Sequence, residues 1–170
     1  MKLIVGLGNP EEKYKLNRHN IGFILLERLA GEFGLSFRKS PKASGLVAMG
    51  DGFVLLKPLT YMNRSGNAVS KALSFFKLDP KNLVVVHDDV DLKFGEIKSK
   101  VGQSPAGHHG VEDIIEKLGT KEFQRVRVGV GRPTHREEVE SYVLSDFTNE
   151  ELKHLEEISL SKFLFNLRLT

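Results

Sequence analysis

Four apolar residues in a row, Leu83-Val84-Val85-Val86, empty directly into His87-Asp88-Asp89. A run that short and that uniformly apolar reads as a strand buried on both faces, because neither face offers a polar side chain to water. Leu3 to Leu7 has the same character and is ended by Gly8-Asn9-Pro10. Buried strands of this kind belong to sheets covered by helices, so the two segments point the chain toward α/β layering.

The intervening sequence supplies the helices and the remaining strands. Residues 19–33 place Ile21, Ile24, Leu25, Leu29 and Phe33 at helical spacing, with Gly34 as the stop. Gly50-Asp51-Gly52 separates short strands near 45–49 and 53–57, a hairpin signal. Ser65 stands where a cap belongs, ahead of a helix through Val69, Ala72, Leu73 and Phe76. Residues 96–101 and Arg125 to Val130 alternate as half-exposed strands do. Gly110 to Leu118 reads as a helix with Ile114, Ile115 and Leu118 inward. Thr148-Asn149-Glu150-Glu151 is a capping box opening one last helix that carries Leu152, Leu155, Ile158 and Leu164. The alternation predicts one α/β domain over residues 1–170, a mixed twisted sheet flanked by helices.

Composition removes several classes of chemistry. The chain has 170 residues and no Cys, so disulfides, thiolate metal sites and cysteine nucleophiles are excluded. No stretch approaches the ~20 apolar residues of a membrane span, and Gly8-Asn9-Pro10 interrupts the first apolar run too early for a secretory leader. A cytoplasmic protein without membrane association is expected. The net charge of +3 is unevenly spread. Residues 93–136 hold nine Lys/Arg against five Asp/Glu, and residues 137–170 hold three against eight. A basic central third is compatible with a polyanionic partner and equally with an ordinary solvated surface.

Sites in open α/β sheets gather beyond the carboxyl ends of parallel strands. If the strands at 3–7 and 83–86 run parallel, Asn9 and Asp88 share one edge, and His19 at the start of the first helix hangs over it. The Asp would fix the imidazole tautomer, the His would activate water, and the Asn amide would orient a carbonyl. Each residue also has a plain reading: Asn9-Pro10 as a turn, His19 as a surface residue at a helix start. Gly6-Leu7-Gly8 lacks the third Gly of a dinucleotide loop, since position 11 is Glu. The carboxylates in His87-Asp88-Asp89-Val90-Asp91 suit a divalent metal or a solvated strand end. Gly102 to Gly110 is a Gly-rich turn entering a helix, where an anion could be received. The His108-His109 pair has no recognised zinc spacing around it.

In order along the chain, these motifs resemble those of the bacterial-type peptidyl-tRNA hydrolase family. The resemblance is carried by Lys2 to Pro10, Tyr14, Arg18-His19-Asn20, Tyr61-Met62-Asn63 and Ser65-Gly66. It continues through His87 to Leu92, Gly107-His108 and Arg125 to Pro133. It implies a monomeric, metal-independent and cofactor-free esterase of translation. Such an enzyme cuts the ester between a peptide and the 3′-terminal ribose of tRNA, gripping the acceptor stem and 3′ end. On that mapping His19 is the base and Asp88 its orienting carboxylate, while Asn9 and Asn63 position substrate and water. Tyr14, Asn20, Tyr61 and Met62 are expected to line the substrate cleft, and Lys100 and Arg127 to clamp the 5′-phosphate.

Two departures stand out. The family's Gly-rich loop ends His-Asn-Gly, whereas this chain reads His108-His109-Gly110, with Gln103, Pro105 and Ala106 replacing smaller or more flexible residues. His109 is expected at the cleft mouth as a partial substitute for the Asn. The C-terminal helical region is short, so contacts from it to RNA are expected to be reduced. A non-catalytic RNA-binding relative and a metal-dependent phosphoesterase built on residues 88–91 are the competing readings.

Overall fold

The computed structural model describes residues 1–169. Among them, seven strands form one mixed sheet, β1 (Lys2–Gly6), β2 (Arg38–Ser40), β3 (Gly45–Met49), β4 (Phe53–Pro58), β5 (Leu83–Asp89), β6 (Ile97–Val101) and β7 (Gln124–Gly129). Their order is β2-β3-β4-β1-β5-β7-β6. β1 pairs in parallel with β4 and β5, and β5 with β7. The outer pairings β2/β3, β3/β4 and β6/β7 are antiparallel.

The central strands alternate between two cores. Ile4, Val84 and Val86 face the side covered by α1 (Ile21–Glu32), while Leu3, Val5, Leu83 and Val85 face the opposite side. That second side is covered by α2 (Ser65–Phe76) and α3 (His109–Leu118). A five-residue helix, α4 (Val139–Val143), precedes α5 (Asn149–Glu157) and α6 (Leu160–Leu167). These last two helices add Leu155, Phe163 and Leu167 to the first core. No helix of the described residues is long and apolar enough to cross a membrane.

One glycine sets the geometry of the site. Gly22 lies where α1 crosses the ends of β1 and β5, and a Cβ there would strike the backbone of Leu7 and Val86. Its absence lets the start of α1 settle onto the strand ends, carrying the preceding turn, Arg18–Asn20, over the sheet edge.

Several expectations need correction. β5 continues three residues past Val86, because Asp88 and Asp89 still pair with Val128 and Gly129 of β7. His87 and Asp88 are therefore strand residues rather than a turn. Ser65 does not cap α2 but is its first residue, and its hydroxyl donates to Met62 O at 2.6 Å. The final helix is two helices, because a new cap at Ser159 accepts from Lys162 N and restarts the chain in α6. β2 escaped notice because Arg38-Lys39-Ser40 is a polar edge strand specified by backbone pairing alone. The Thr148 capping box forms as expected, with Thr148 Oγ1 accepting from Glu151 N and Glu151 Oε1 from Thr148 N.

Candidate active site

Parallel pairing of β1 and β5 puts Asn9 and Asp88 on one sheet edge, and the turn before α1 lowers His19 onto it. His19 Nδ1 lies 2.9 Å from both carboxylate oxygens of Asp88. A second imidazole, His108, reaches the same carboxylate, with Nε2 2.9 Å from Asp88 Oδ1. His108 is also the cap of α3, its Nδ1 accepting from Val111 N at 3.3 Å. An Nδ1 that accepts leaves the ring proton on Nε2, so His108 donates to Asp88. Donation from His19 Nδ1 to the same carboxylate leaves His19 Nε2 with a free lone pair in the cleft.

Burial and charge compete at this centre. Burial disfavours the protonated form of His19, but the Asp88 charge and hydrogen bond outweigh it and hold the pKa above the ordinary 6.5. Burial likewise opposes the Asp88 carboxylate, yet His19 and His108 keep it ionised well below the usual carboxylate range. His87 sits behind them with its ring edge-on to His108 at 4.7 Å and its Nδ1 donating to Asp88 O at 2.8 Å. Burial above all, then His108 and Arg125, pushes its pKa well below 6.5, so it stays neutral.

Asn9 is pinned on three sides. Asn20 Oδ1 accepts from Asn9 N, and Asn20 Nδ2 donates to Asn9 O, both at 2.9 Å. Asn9 Oδ1 accepts from Met62 N at 2.9 Å. What remains is the Asn9 Nδ2 group, with no protein partner among the described residues, on the wall of the cleft. Asn20 was expected to touch substrate. It is instead 2% exposed and spends both amide atoms on Asn9, so it frames the site from behind.

The cleft has a volume of 1280 Å³. Asn9, His19, Met62 and Asn63 line it with Asp88, and Lys100 of β6 and Arg127 of β7 line it as well. Tyr61 lies at the rim, 55% exposed, its hydroxyl donating to Glu11 Oε1 at 2.9 Å. Tyr14, also expected on the wall, is not among the lining residues. Its turn, Glu12–Tyr14, leaves the ring beside Lys13 outside the cleft proper. His109 does border the cleft, but as the first residue of α3 with a side chain 75% exposed, 3.4 Å from Glu112.

The acidic run does not converge as a metal site would require. Asp88 turns to the histidines, Asp89 to Arg127 at 3.2 Å, and Asp91 to Arg132. His19, Asp88 and His108 do bring three potential ligand atoms within 4.8 Å of one another. An ion on His108 Nε2 would need the lone pair that the Val111 contact assigns to Nδ1, so the donor set fits a proton-linked triad better than a metal.

Sequence reasoning missed His108, Arg125 and the wall formed by residues 136–144. His108 stood out as half of a His pair and within the Gly107-His108 motif but was given no role; its position just before α3 was the usable signal. Arg125 is 3% exposed and donates from Nη1 to Ser104 O at 2.8 Å, bracing the Gly-rich loop from below. Ala106 in that loop adopts a left-handed backbone, φ +49°, a conformation that suits Gly better.

The family model described as peptidyl-tRNA hydrolase matches residues 3–165. The chain belongs to the peptidyl-tRNA hydrolase family. It is 48% identical to the peptidyl-tRNA hydrolase of Desulfitobacterium hafniense over 162 residues, covering 93% of this chain and 86% of that one. It is also 48% identical to the Thermus thermophilus enzyme over 158 residues, covering 93% and 83%. The crystal structure of peptidyl-tRNA hydrolase from Acinetobacter baumannii superposes with a TM-score of 0.89 at 35% identity, over 99% of this chain and 89% of that one. The mixed seven-stranded sheet flanked by helices is thus the fold of this family.

Proposed function

We propose that this chain hydrolyses the ester between a peptide and the 3′-terminal ribose of tRNA, with His19 as its general base. The observation that carries the reading is the hydrogen-bonded order of the centre. Asp88 accepts the hydrogen bond of His19 Nδ1–H, so Nε2 is left unprotonated in a cleft walled by Asn9 and Asn63. Water bound at Nε2 loses a proton to His19 as its oxygen attacks the ester carbonyl. The resulting oxyanion meets the amide donors of Asn9 and Asn63. Collapse expels the ribose oxygen, which takes the proton back from the imidazolium, leaving a tRNA hydroxyl and a carboxylic acid that then ionises by losing its proton to solvent. Asp88 and His108 touch no reacting atom in this scheme; they hold His19 in its tautomer. No covalent enzyme intermediate is needed, since a ribose hydroxyl leaves readily.

Met62 and Tyr61 offer the apolar and aromatic surface for the 3′ end, and Lys100 and Arg127 receive the 5′-phosphate of the acceptor stem. Recognition through phosphate and shape suits an enzyme that accepts many tRNAs. Asn9, His19, Asn63 and Asp88 all line one cleft of the chain, and peptidyl-tRNA is a product of cytoplasmic translation. The decisive experiment is incubation with an N-acylated aminoacyl-tRNA, scored for free tRNA. Release is expected, and it should persist with a chelator present. No release would favour a non-catalytic relative, and loss on chelation a metal-dependent phosphoesterase built on residues 88–91.

The clamp is tested separately. Lys100→Gln or Arg127→Gln is expected to raise KM and to lower the slope of log affinity against log salt by about one, since each phosphate contact releases counterions. A substrate with a 5′-hydroxyl should be indifferent to both changes. Equal damage to that substrate would mark the residues as structural.

A further inference from the structure

Arg127 is not a free cation. Its Nη1 lies 3.2 Å from Asp89 Oδ2, with the two side chains 21% and 13% exposed. Asp89 is itself fastened, because its Oδ1 accepts the Asp91 backbone N–H at 2.8 Å. The carboxylate cannot swing away without breaking a contact in the turn that follows β5. Only its Nη1 is engaged, and Arg127 lines the cleft, so the other amino group of the guanidinium, Nη2, remains for an incoming acceptor. Around this pair the sheet face is basic. Lys98 stands opposite Arg127 and Lys100 opposite Arg125, placing four cations at facing positions on β6 and β7. Asp89 is a fixed negative charge set against them.

We propose that Asp89 weakens the phosphate clamp by design, holding the affinity of Lys100 and Arg127 for phosphate low enough that deacylated tRNA is released. The inference rests on the clamp reading given above. Substrate and product carry the same 5′-phosphate, so clamp affinity is uniform binding: it lowers KM but does nothing for the chemical step. Beyond a point it slows product release and lets the backbone phosphates of other RNA compete. A carboxylate on the clamp's own arginine subtracts attraction from every anion that arrives. A group that only oriented Arg127 would do the opposite on removal, leaving the guanidinium loose and binding weaker.

The test is Asp89→Asn, which removes the charge but keeps an oxygen for the Asp91 N–H. Asp89→Ser, whose hydroxyl can also accept that N–H, is a second neutral variant in case the first folds poorly. Deacylated tRNA with a 5′-phosphate is expected to bind the variant on the order of tenfold more tightly, with KM and kcat both reduced. Little change is expected for tRNA with a 5′-hydroxyl, and the gain should vanish in an Arg127→Gln background. Unchanged or weaker binding in both neutral variants overturns the inference. If the wild-type protein binds 5′-phosphorylated and 5′-hydroxyl tRNA alike, the clamp reading fails and this inference with it. If it separates them and neither variant tightens, the inference alone is wrong.

Discussion

Replacing His19 with Ala is expected to slow hydrolysis by about 10²–10⁴-fold while leaving the fold intact, the usual cost of losing a general base. The side chain sits at the floor of an open cleft, 12% exposed, where water can refill the space. Asp88 keeps its second partner, because the His108 contact at 2.9 Å does not pass through His19. Thermal unfolding of the variant should therefore lie close to wild type, and tRNA binding should be retained, since the hydrogen bonds of His19 go to Asp88 and not to Lys100 or Arg127. Single-turnover release of tRNA from an N-acylated aminoacyl-tRNA measures the chemical step directly. Activity within a few-fold of wild type would remove His19 from the role and with it the proton path proposed above.

How far the sequence could be read followed from which forces specify each element. β1 and β5 were legible because burial on both faces leaves a continuous apolar run, and burial is what composition reports best. The edge strand β2 was not, because its three polar residues are held by backbone pairing that leaves no mark on side-chain choice. The break between α5 and α6 was hidden because Ile158, expected on a helical face, still packs against the core from the connecting residues. Within the site, the meeting of Asn9, His19 and Asp88 was readable on the condition that β1 and β5 run parallel, with His19 at the start of a helix. The role of Asn20 did not, because nothing in Arg18-His19-Asn20 says which side chain turns inward. Arg18, next to His19, is a similar case. It lies buried under Tyr142, with its guanidinium bonded to Ser145, Asp146 and Glu151, tying the catalytic turn to α5 and to the residues that follow α4. Such long-range polar contacts, 127 to 133 residues apart in sequence, carry no local periodicity to find.

Asp88→Asn should be nearly as damaging as loss of His19, for a reason the geometry makes specific. Two imidazole N–H groups converge on the carboxylate, His108 at Oδ1 and His19 at both oxygens. An Asn can keep one oxygen under His108, but its NH₂ then faces His19 Nδ1 at the position of Oδ2. Two donors cannot share that contact, which favours the His19 tautomer with a lone pair at Nδ1 and the proton on Nε2. That tautomer cannot accept a proton from water, and a turnover loss of roughly 10³–10⁴-fold is expected, comparable to the wrong-tautomer penalty in other His–Asp pairs. The pH dependence of the residual activity supplies an independent check. His19 must be neutral to act, so the wild-type rate falls on the acid side as the imidazole protonates. Its pKa is raised because the Asp88 charge and hydrogen bond overcome burial, which places the wild-type acid limb above 6.5. Removing the Asp88 charge leaves burial unopposed, and burial lowers the pKa of an imidazole. The limb should therefore move to lower pH in Asp88→Asn, even as the plateau rate collapses. Affinity for tRNA should hold, because the Asp88 side chain is 3% exposed and turned to the two imidazoles. Weakened binding with normal turnover would contradict the assignment. An acid limb that stays in place would mean that the titrating group is not the His19 that Asp88 holds.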